Sequence, residues 1–283
     1  MNRIVLGDNL ELLRRLPAAS IALVYVDPPF NTGAAQTRTR LATVRNPAGD
    51  RVGFGGNRYA TTRLGAMRFA DTFDDYLGFL EPRLAEIHRV LATDGSLFLH
   101  IDPREAHYVK LLLDAVFGRA SFVNEIIWAY DYGARPRRRW PAKHDTIFWY
   151  ARDPENYVFD AAAMDRIPYM APGLVGPEKA ARGKTPTDVW WHTIVSPTGR
   201  EKTGYPTQKP LGILERIVQV HSRAGDLVAD FFAGSGSFGE AAARHDRRFL
   251  LADSNPEAVA LMARRLAAWA PVVEGTPVVK GAT

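Results

Sequence analysis

Val24-Tyr25-Val26-Asp27-Pro28-Pro29-Phe30-Asn31-Thr32-Gly33 is the stretch around which the rest of this 283-residue chain is organised. The apolar run Ile21 to Val26 reads as a short buried strand. It ends on a carboxylate, two prolines and an aromatic ring. The prolines fix φ and remove two backbone donors, so the strand stops there, while their carbonyls stay free to accept hydrogen bonds. Presented together at a strand end, these groups suit a flat heterocycle. The ring stacks on it, and the oxygens accept from an exocyclic NH2. A tight turn without function competes as a reading of four residues, so the decision passes to a second stretch.

That stretch is Asp230-Phe231-Phe232-Ala233-Gly234-Ser235-Gly236, a strand, a glycine-rich turn and a helix start. Asp253 ends the following strand, ahead of Ser254 and Asn255. The glycines let a ligand approach the backbone at a helix N-terminus, and the later carboxylate suits a ribose diol. Gly234-x-Gly236-x-x-Gly239 also matches a dinucleotide fingerprint, a weak signal alone. Position argues against NAD, because too little chain follows Asp253 for the rest of a nicotinamide-binding domain.

Composition narrows the classes. Apolar residues make up 46% of the chain, enough for a full core. No apolar run reaches the length of a membrane span, and Met1 to Asp8 lacks a signal-peptide pattern. With no cysteine there is no disulfide, no Cys-based zinc site and no Cys nucleophile. A cytoplasmic location fits. The net charge is +5, and its distribution says more than its size. Arg38, Arg40, Arg45, Arg51, Arg58, Arg63 and Arg68 face one acid, Asp50, between residues 31 and 70. A second cluster is Arg135, Arg137, Arg138, Arg139 and Lys143. Two arginine-rich clusters favour a phosphate-binding surface over an ordinary solvated face.

Along the chain, strands are expected at Arg3 to Leu6, Ile21 to Val26, Ser96 to Ile101, Asp226 to Phe232 and Phe249 to Ala252. Val123 to Tyr130 and Thr146 to Ala151 read as a hairpin with a long basic loop. Helices are expected after Asp8, around Leu77 to Leu91, over Arg104 to Phe117, Gln208 to Ser222, after Gly236 and over Pro256 to Trp269. Pro82 either kinks the second helix or delays its start to Glu81, and Asp94-Gly95 should break it. Residues 31–70 read as a long, partly mobile basic loop, residues 152–204 as a small variable module containing Trp190-Trp191, and 271–283 as a frayed tail.

The two motifs together resemble the amino-methylating DNA methyltransferases that use S-adenosylmethionine. Asp27-Pro28-Pro29-Phe30 is similar to their catalytic Asp/Asn/Ser-Pro-Pro-Tyr/Phe/Trp, and Phe232-Ala233-Gly234-Ser235-Gly236 to their cofactor motif Phe-x-Gly-x-Gly. The catalytic motif comes first, as in the circularly permuted beta group. Gly7-Asp8-Asn9, Asn124 to Trp128, His144 to Ile147 and Tyr205-Pro206-Thr207-Gln208-Lys209-Pro210 resemble further group segments. Departures are Ser254, where many relatives carry Ile, and Phe30, where Tyr is commoner.

The resemblance implies an α/β, doubly wound, mostly parallel seven-stranded methyltransferase sheet of order 3-2-1-4-5-7-6. Strands ending at Asp230 and Asp27 would be neighbours at its switch point. It implies a catalytic half at 1–151, a target-recognition region at 152–204, a cofactor half at 205–270 and a tail at 271–283. Asp27, Pro28, Pro29 and Phe30 would be catalytic. Asp8, Asp27, Thr207, Lys209, Asp230, Phe232, Ala233, Gly234, Ser235, Gly236, Asp253, Ser254 and Asn255 would line the cofactor, with no metal. Arg38, Arg40, Arg45, Arg51, Arg135, Arg137, Arg138, Arg139 and Lys143 would meet DNA. The activity implied is transfer of a methyl group to the exocyclic amine of a flipped base in double-stranded DNA, adenine N6 ahead of cytosine N4. RNA, a protein amide, or DNA binding without catalysis are the other readings. A cognate restriction endonuclease, a homodimer and a prokaryotic, nucleoid-associated setting complete the expectation.

Overall fold

The computed structural model describes residues 1–31, 36–45, 51–52, 58–69, 73, 75–133, 135–196, 199 and 201–275. It contains two compact units, Met1–Phe30 with Asp75–Thr283, and Asn31–Asp74.

The larger unit is built on a nine-stranded sheet. In chain order its strands and helices begin with β1 (Arg3–Leu6), α1 (Asn9–Arg15) and β2 (Ile21–Val26). The smaller unit supplies β3 (Gln36–Arg45), β4 (Arg51–Val52) and β5 (Arg58–Phe69). Then come α2 (Tyr76–Val90), β6 (Leu91–Ile101), α3 (Ala106–Phe117), β7 (Phe122–Ala129), β8 (His144–Ala151), α4 (Pro177–Arg182) and β9 (Val189–Trp191). The chain continues with α5 (Leu211–His221), β10 (Leu227–Asp230), α6 (Ser237–Arg244), β11 (Arg248–Asp253), α7 (Pro256–Arg265) and β12 (Val272–Glu274).

The sheet order is β12-β1-β11-β10-β2-β6-β8-β7-β9. Every pairing is parallel except those of β8 with β6 and β7. Counting β10 as first and β11 as second, the seven inner strands run 3-2-1-4-5-7-6, as the resemblance implies. β12 and β9 extend the two edges. Helices α1, α2 and α3 pack together on one face, and α5, α6 and α7 on the other. Central strands buried on both faces need near-continuous apolar runs. β2 and β6 supply them: Leu23, Val24, Leu97, Phe98 and Leu99 are fully buried.

Four expectations change, and at Pro82 one of the two alternatives, the delayed start, falls away. Residues 31–70 are not one loop: β3 and β5 pair antiparallel along their length, and β4 adds to β5. Arginine and threonine in alternation gave no apolar period, yet Thr, Val and Tyr favour extended backbone. Helix α2 runs through Pro82 and is capped at Asp75, whose carboxylate accepts from the Gly78 amide at 2.8 Å. Asp94-Gly95 falls inside β6 as a bulge, since Ile21 pairs with Leu91 but Leu23 with Ser96. The tail begins with a strand: Val272 to Glu274 pair with β1, and Arg3 holds Glu274 by two hydrogen bonds of 2.7 and 2.9 Å. The rest of the expected tail, 276–283, lies outside the described residues. Residues 152–204 belong to the larger unit, and the separate compact unit is Asn31–Asp74.

Candidate active site

The carboxyl ends of β2 and β10 meet where the sheet order turns, with Val228 and Ala229 in register with Leu23 and Val24. Asp27 follows β2, and Asp230 closes β10. The crevice outside these ends is where open α/β sheets bind ligands.

On the β10 side the chain makes its turn through two left-handed glycines, Gly234 at φ 47° and Gly236 at φ 75°. The Gly236 amide donates to the Ala233 carbonyl at 2.7 Å. Asp253 fastens the turn from the neighbouring strand. One oxygen accepts from the Gly234 amide at 2.9 Å and the other from the Asn255 amide at 2.8 Å. A Cβ on Gly234 would meet the Tyr205 ring at 2.9 Å, whereas one on Gly236 would meet Met262 at 2.8 Å. Gly234 therefore keeps the cleft side close to Tyr205, and Gly236 keeps α7 close to α6. Ser235 points inward: it is buried, 3.0 Å from the Ser237 hydroxyl. Asn255 caps α7, accepting from the Glu257 amide at 2.9 Å.

Asp230 is buried, with one oxygen on the Phe232 amide at 2.9 Å. Burial, with Asp27 and Asp253 nearby, holds its carboxyl well above the usual carboxylate range. Asp253 is raised as well, by burial. Three carboxylates thus share one crevice.

On the β2 side, Asp27 is ion-paired through Oδ2 to Lys209, whose side chain is 11% exposed. The Lys209 ammonium also lies 5.0 Å from the centre of the Phe30 ring. The structure therefore brings Asp27, Phe30 and Lys209 together across a long stretch of sequence. Thr207 is exposed beside them, its carbonyl 3.4 Å from Lys209 Nζ.

Asp8 has a local task. Its carboxylate accepts from the Leu10 and Glu11 amides at 2.9 and 3.1 Å, capping α1, and meets Arg83 at 3.1 Å. Its neighbour Asn9 reaches the crevice instead, donating to the Phe231 carbonyl at 2.8 Å while accepting from Arg83 at 2.7 Å.

Sequence reasoning quoted Asn9 and Tyr205 only as members of resembling segments, without a role, and missed His100. His100 is fully buried at the end of β6, between Tyr25, 2.8 Å away, and Asp145, 3.1 Å away. The available signal was one polar residue inside the apolar run Leu97-Phe98-Leu99-His100-Ile101.

The basic segment between β7 and β8 leaves the sheet at the carboxyl end of β7, the crevice side. Arg135, Arg137, Arg138, Arg139 and Trp140 are exposed there. Arg135 pairs with Asp131 at 2.7 Å. Lys143 holds the Tyr132 and Gly133 carbonyls at 2.6 and 2.8 Å, so it shapes the loop. Arg38, Arg40 and Arg45 lie on β3 and Arg51 on β4, in the smaller unit; their side chains fall outside what is described. Trp190 is buried on β9, and Trp191, the next residue, is exposed, as strand alternation requires.

Comparison with known proteins agrees with this geometry. The chain is 28% identical over 271 residues to the DNA adenine methyltransferase YhdJ of Escherichia coli (strain K12), covering 93% of this chain and 82% of the relative. Its fold is similar to that of PvuII DNA methyltransferase (cytosine-N4-specific), with TM-score 0.64, 17% identity, and 93% and 85% of the two chains covered. It is also similar to the M1.HpyAVI–SAM complex, with TM-score 0.59, 20% identity, and 94% and 99% covered. A family model described as DNA methylase matches residues 21–264, a span that takes in Asp27, the glycine turn and every strand between them, and the chain belongs to that N6/N4 DNA methylase family.

Proposed function

We propose that the protein transfers a methyl group from S-adenosylmethionine to adenine N6 of a flipped base in double-stranded DNA. The observation that carries this is the adjacency of Asp27 and the Gly234–Gly236 turn on neighbouring strands of one crevice. The 28% identity to an adenine methyltransferase supports adenine over cytosine.

The crevice lining fits the cofactor. The carboxylates of Asp27 and Asp253 suit a ligand that carries positive charge, and the glycine turn lets it lie against backbone. Gly234, Asp253 and Asp230 would hold it, with Tyr205 and Lys209 beside them. Bound there, the cofactor supplies a sulfonium-activated methyl group.

The acceptor amine is the harder partner, because its lone pair is drawn into the ring. Asp27 and the Pro28 carbonyl accept its two N–H hydrogens. That favours a pyramidal nitrogen and stabilises the positive charge that grows on it. Phe30 stacks on the base. Lys209, which holds Asp27 in the absence of a base, must yield its place to the amine. A base reaches the crevice only by leaving the duplex, and the exposed arginines at 135–139 would hold the backbone around it; the arginines of the smaller unit would also meet DNA phosphates. A restriction-modification setting, with a cognate endonuclease, a homodimer and a cytoplasmic location at the chromosome, is part of the same proposal.

Digestion of methylated duplex DNA to nucleosides, followed by mass spectrometry, tests it. N6-methyladenine is expected. N4-methylcytosine alone would overturn the choice of base, and no methylated nucleoside would overturn the activity.

A further inference from the structure

His100 takes no part in the chemistry described above, yet it sits directly behind Asp27. Its Nδ1 is 3.9 Å from Asp27 Oδ1. That oxygen is buried and has no hydrogen-bond partner among the described residues. On the far side of the ring, Nε2 lies 3.1 Å from Asp145 Oδ2, and Asp145 Oδ1 accepts from the Tyr130 hydroxyl at 3.0 Å. The Tyr25 hydroxyl is 2.8 Å from Nδ1. Burial among Asp27, Asp230 and Asp145 pushes Tyr25 well up, so it remains a phenol and donates. Trp128, edge-on at 5.4 Å, and Phe30 at 5.7 Å close the remaining sides of the ring. Lys209, on the other oxygen of Asp27, is the cation of the group. With Nε2–H given to Asp145, the neutral ring carries its lone pair on Nδ1, the nitrogen nearer the crevice.

We infer that His100, backed by Asp145, takes from Asp27 the proton that the methylated amine sheds. The inference rests on the reading of Asp27 as the group that meets the amine. Once the nitrogen holds its new methyl group it carries one proton too many. The N–H bond breaks as an O–H bond forms on Asp27. The carboxyl then turns to bring that proton to the His100 side and closes the 3.9 Å gap, and the O–H bond breaks as an N–H bond forms at His100 Nδ1, the Tyr25 hydroxyl turning its hydrogen away. The resulting imidazolium lies between the Asp27 and Asp145 carboxylates, which stabilise it. When product leaves, the proton returns through Asp27 to water. His100 thus acts through Asp27 and restores its carboxylate within the turnover.

Single-turnover methyl transfer from pH 5.5 to 9, for wild type, His100→Gln and Asp145→Asn, is one arm of the test. The other is 15N-imidazole NMR of the protein without ligands. Wild-type transfer is expected to rise with pH and to level off. His100→Gln should be flat over that range, slower by about 10²-fold at the plateau, with unchanged cofactor affinity by calorimetry. NMR should find Nε2 protonated and Nδ1 bare where the rate has levelled off. Asp145→Asn should move the rate limb to lower pH. A loss of equal size at every pH in His100→Gln would make the ring a packing group and overturn the inference. A proton resident on Nδ1 would overturn it too. If His100→Gln does not fold, Asp145→Asn decides: a limb that stays put overturns the inference. Full turnover in Asp27→Ala would instead strike the reading of Asp27, whatever His100 does.

Discussion

Lys209 and Asp27 hold each other in a place where water barely reaches. Removing one partner of a buried pair leaves a charge that costs about 3 kcal/mol. Asp27→Ala is therefore expected to lower transfer by on the order of 10²-fold or more and also to lower the melting temperature. Asp27→Ala combined with Lys209→Met should recover the melting temperature without recovering activity; thermal melts beside a methyl-transfer assay check both. His221 gives a pH dependence of another kind. Packed against Phe98 and Trp149, it is pushed by burial down to about 3. Between its unfolded value near 6.5 and that value the unfolded chain binds the extra proton, so stability is complete above about pH 6.5 and falls with acid. At pH 4.5 the loss is on the order of 3 kcal/mol, and urea titrations should show most of it gone in His221→Phe. The residues legible in the sequence were those whose motif announces their chemistry: Asp27, Phe30 and the two glycines of the turn. His100 and Asn9 were illegible because their meaning lies in partners, Asp145 and Phe231, that only the folded sheet brings within reach.

Secondary-structure elements were legible where apolar periodicity was strong, as in β2, β6, α3 and α5. They were obscure where it was weak. β3 interleaves arginine with threonine and β5 scatters its apolar residues without a period, while β12 is three residues at an edge. The turn between β10 and α6 adds a packing reason to the ligand approach its glycines suggest. At Gly236 the Cβ direction faces Met262 and Leu266 on the α7 side. Gly236→Ala is thus expected to destabilise the fold by about 1–3 kcal/mol through its positive φ and the crowded helix. Denaturant titration should show that loss, and Met262→Ala in the same chain should return part of it. If Gly236→Ala kept full stability and lost only cofactor affinity, the ligand would after all be the neighbour that matters. The loop between β7 and β8 carries its arginines in the open. Replacing Arg137, Arg138 and Arg139 together by Gln should leave cofactor binding unchanged. It should reduce the salt dependence of DNA binding by up to about three phosphate contacts, read as the slope of log affinity against log salt.

At the scale of the molecule, the order of the seven inner strands followed from two motifs and the resemblance they carry. The division into units did not, because the Asn31–Asp74 unit looks in the sequence like an arginine-rich connection. Replacing residues 32–72 by a Gly/Ser linker is expected to leave the large sheet and cofactor binding intact and to weaken DNA binding; circular dichroism, calorimetry and a gel-shift titration would show it. The pairing of β2 with β10 has a further consequence, in time. Leu23 lies in register with Val228, so the middle of the sheet closes only when the last third of the chain is present. Joining segments separated by roughly 200 residues costs on the order of 5 kcal/mol in chain entropy before any contact repays it. As the ribosome delivers the chain, β2 must wait as an open edge, apolar on both faces, for most of synthesis. Refolding from urea should accordingly be slow and sensitive to protein concentration, and a chain stopped at residue 204 should aggregate where the full chain does not.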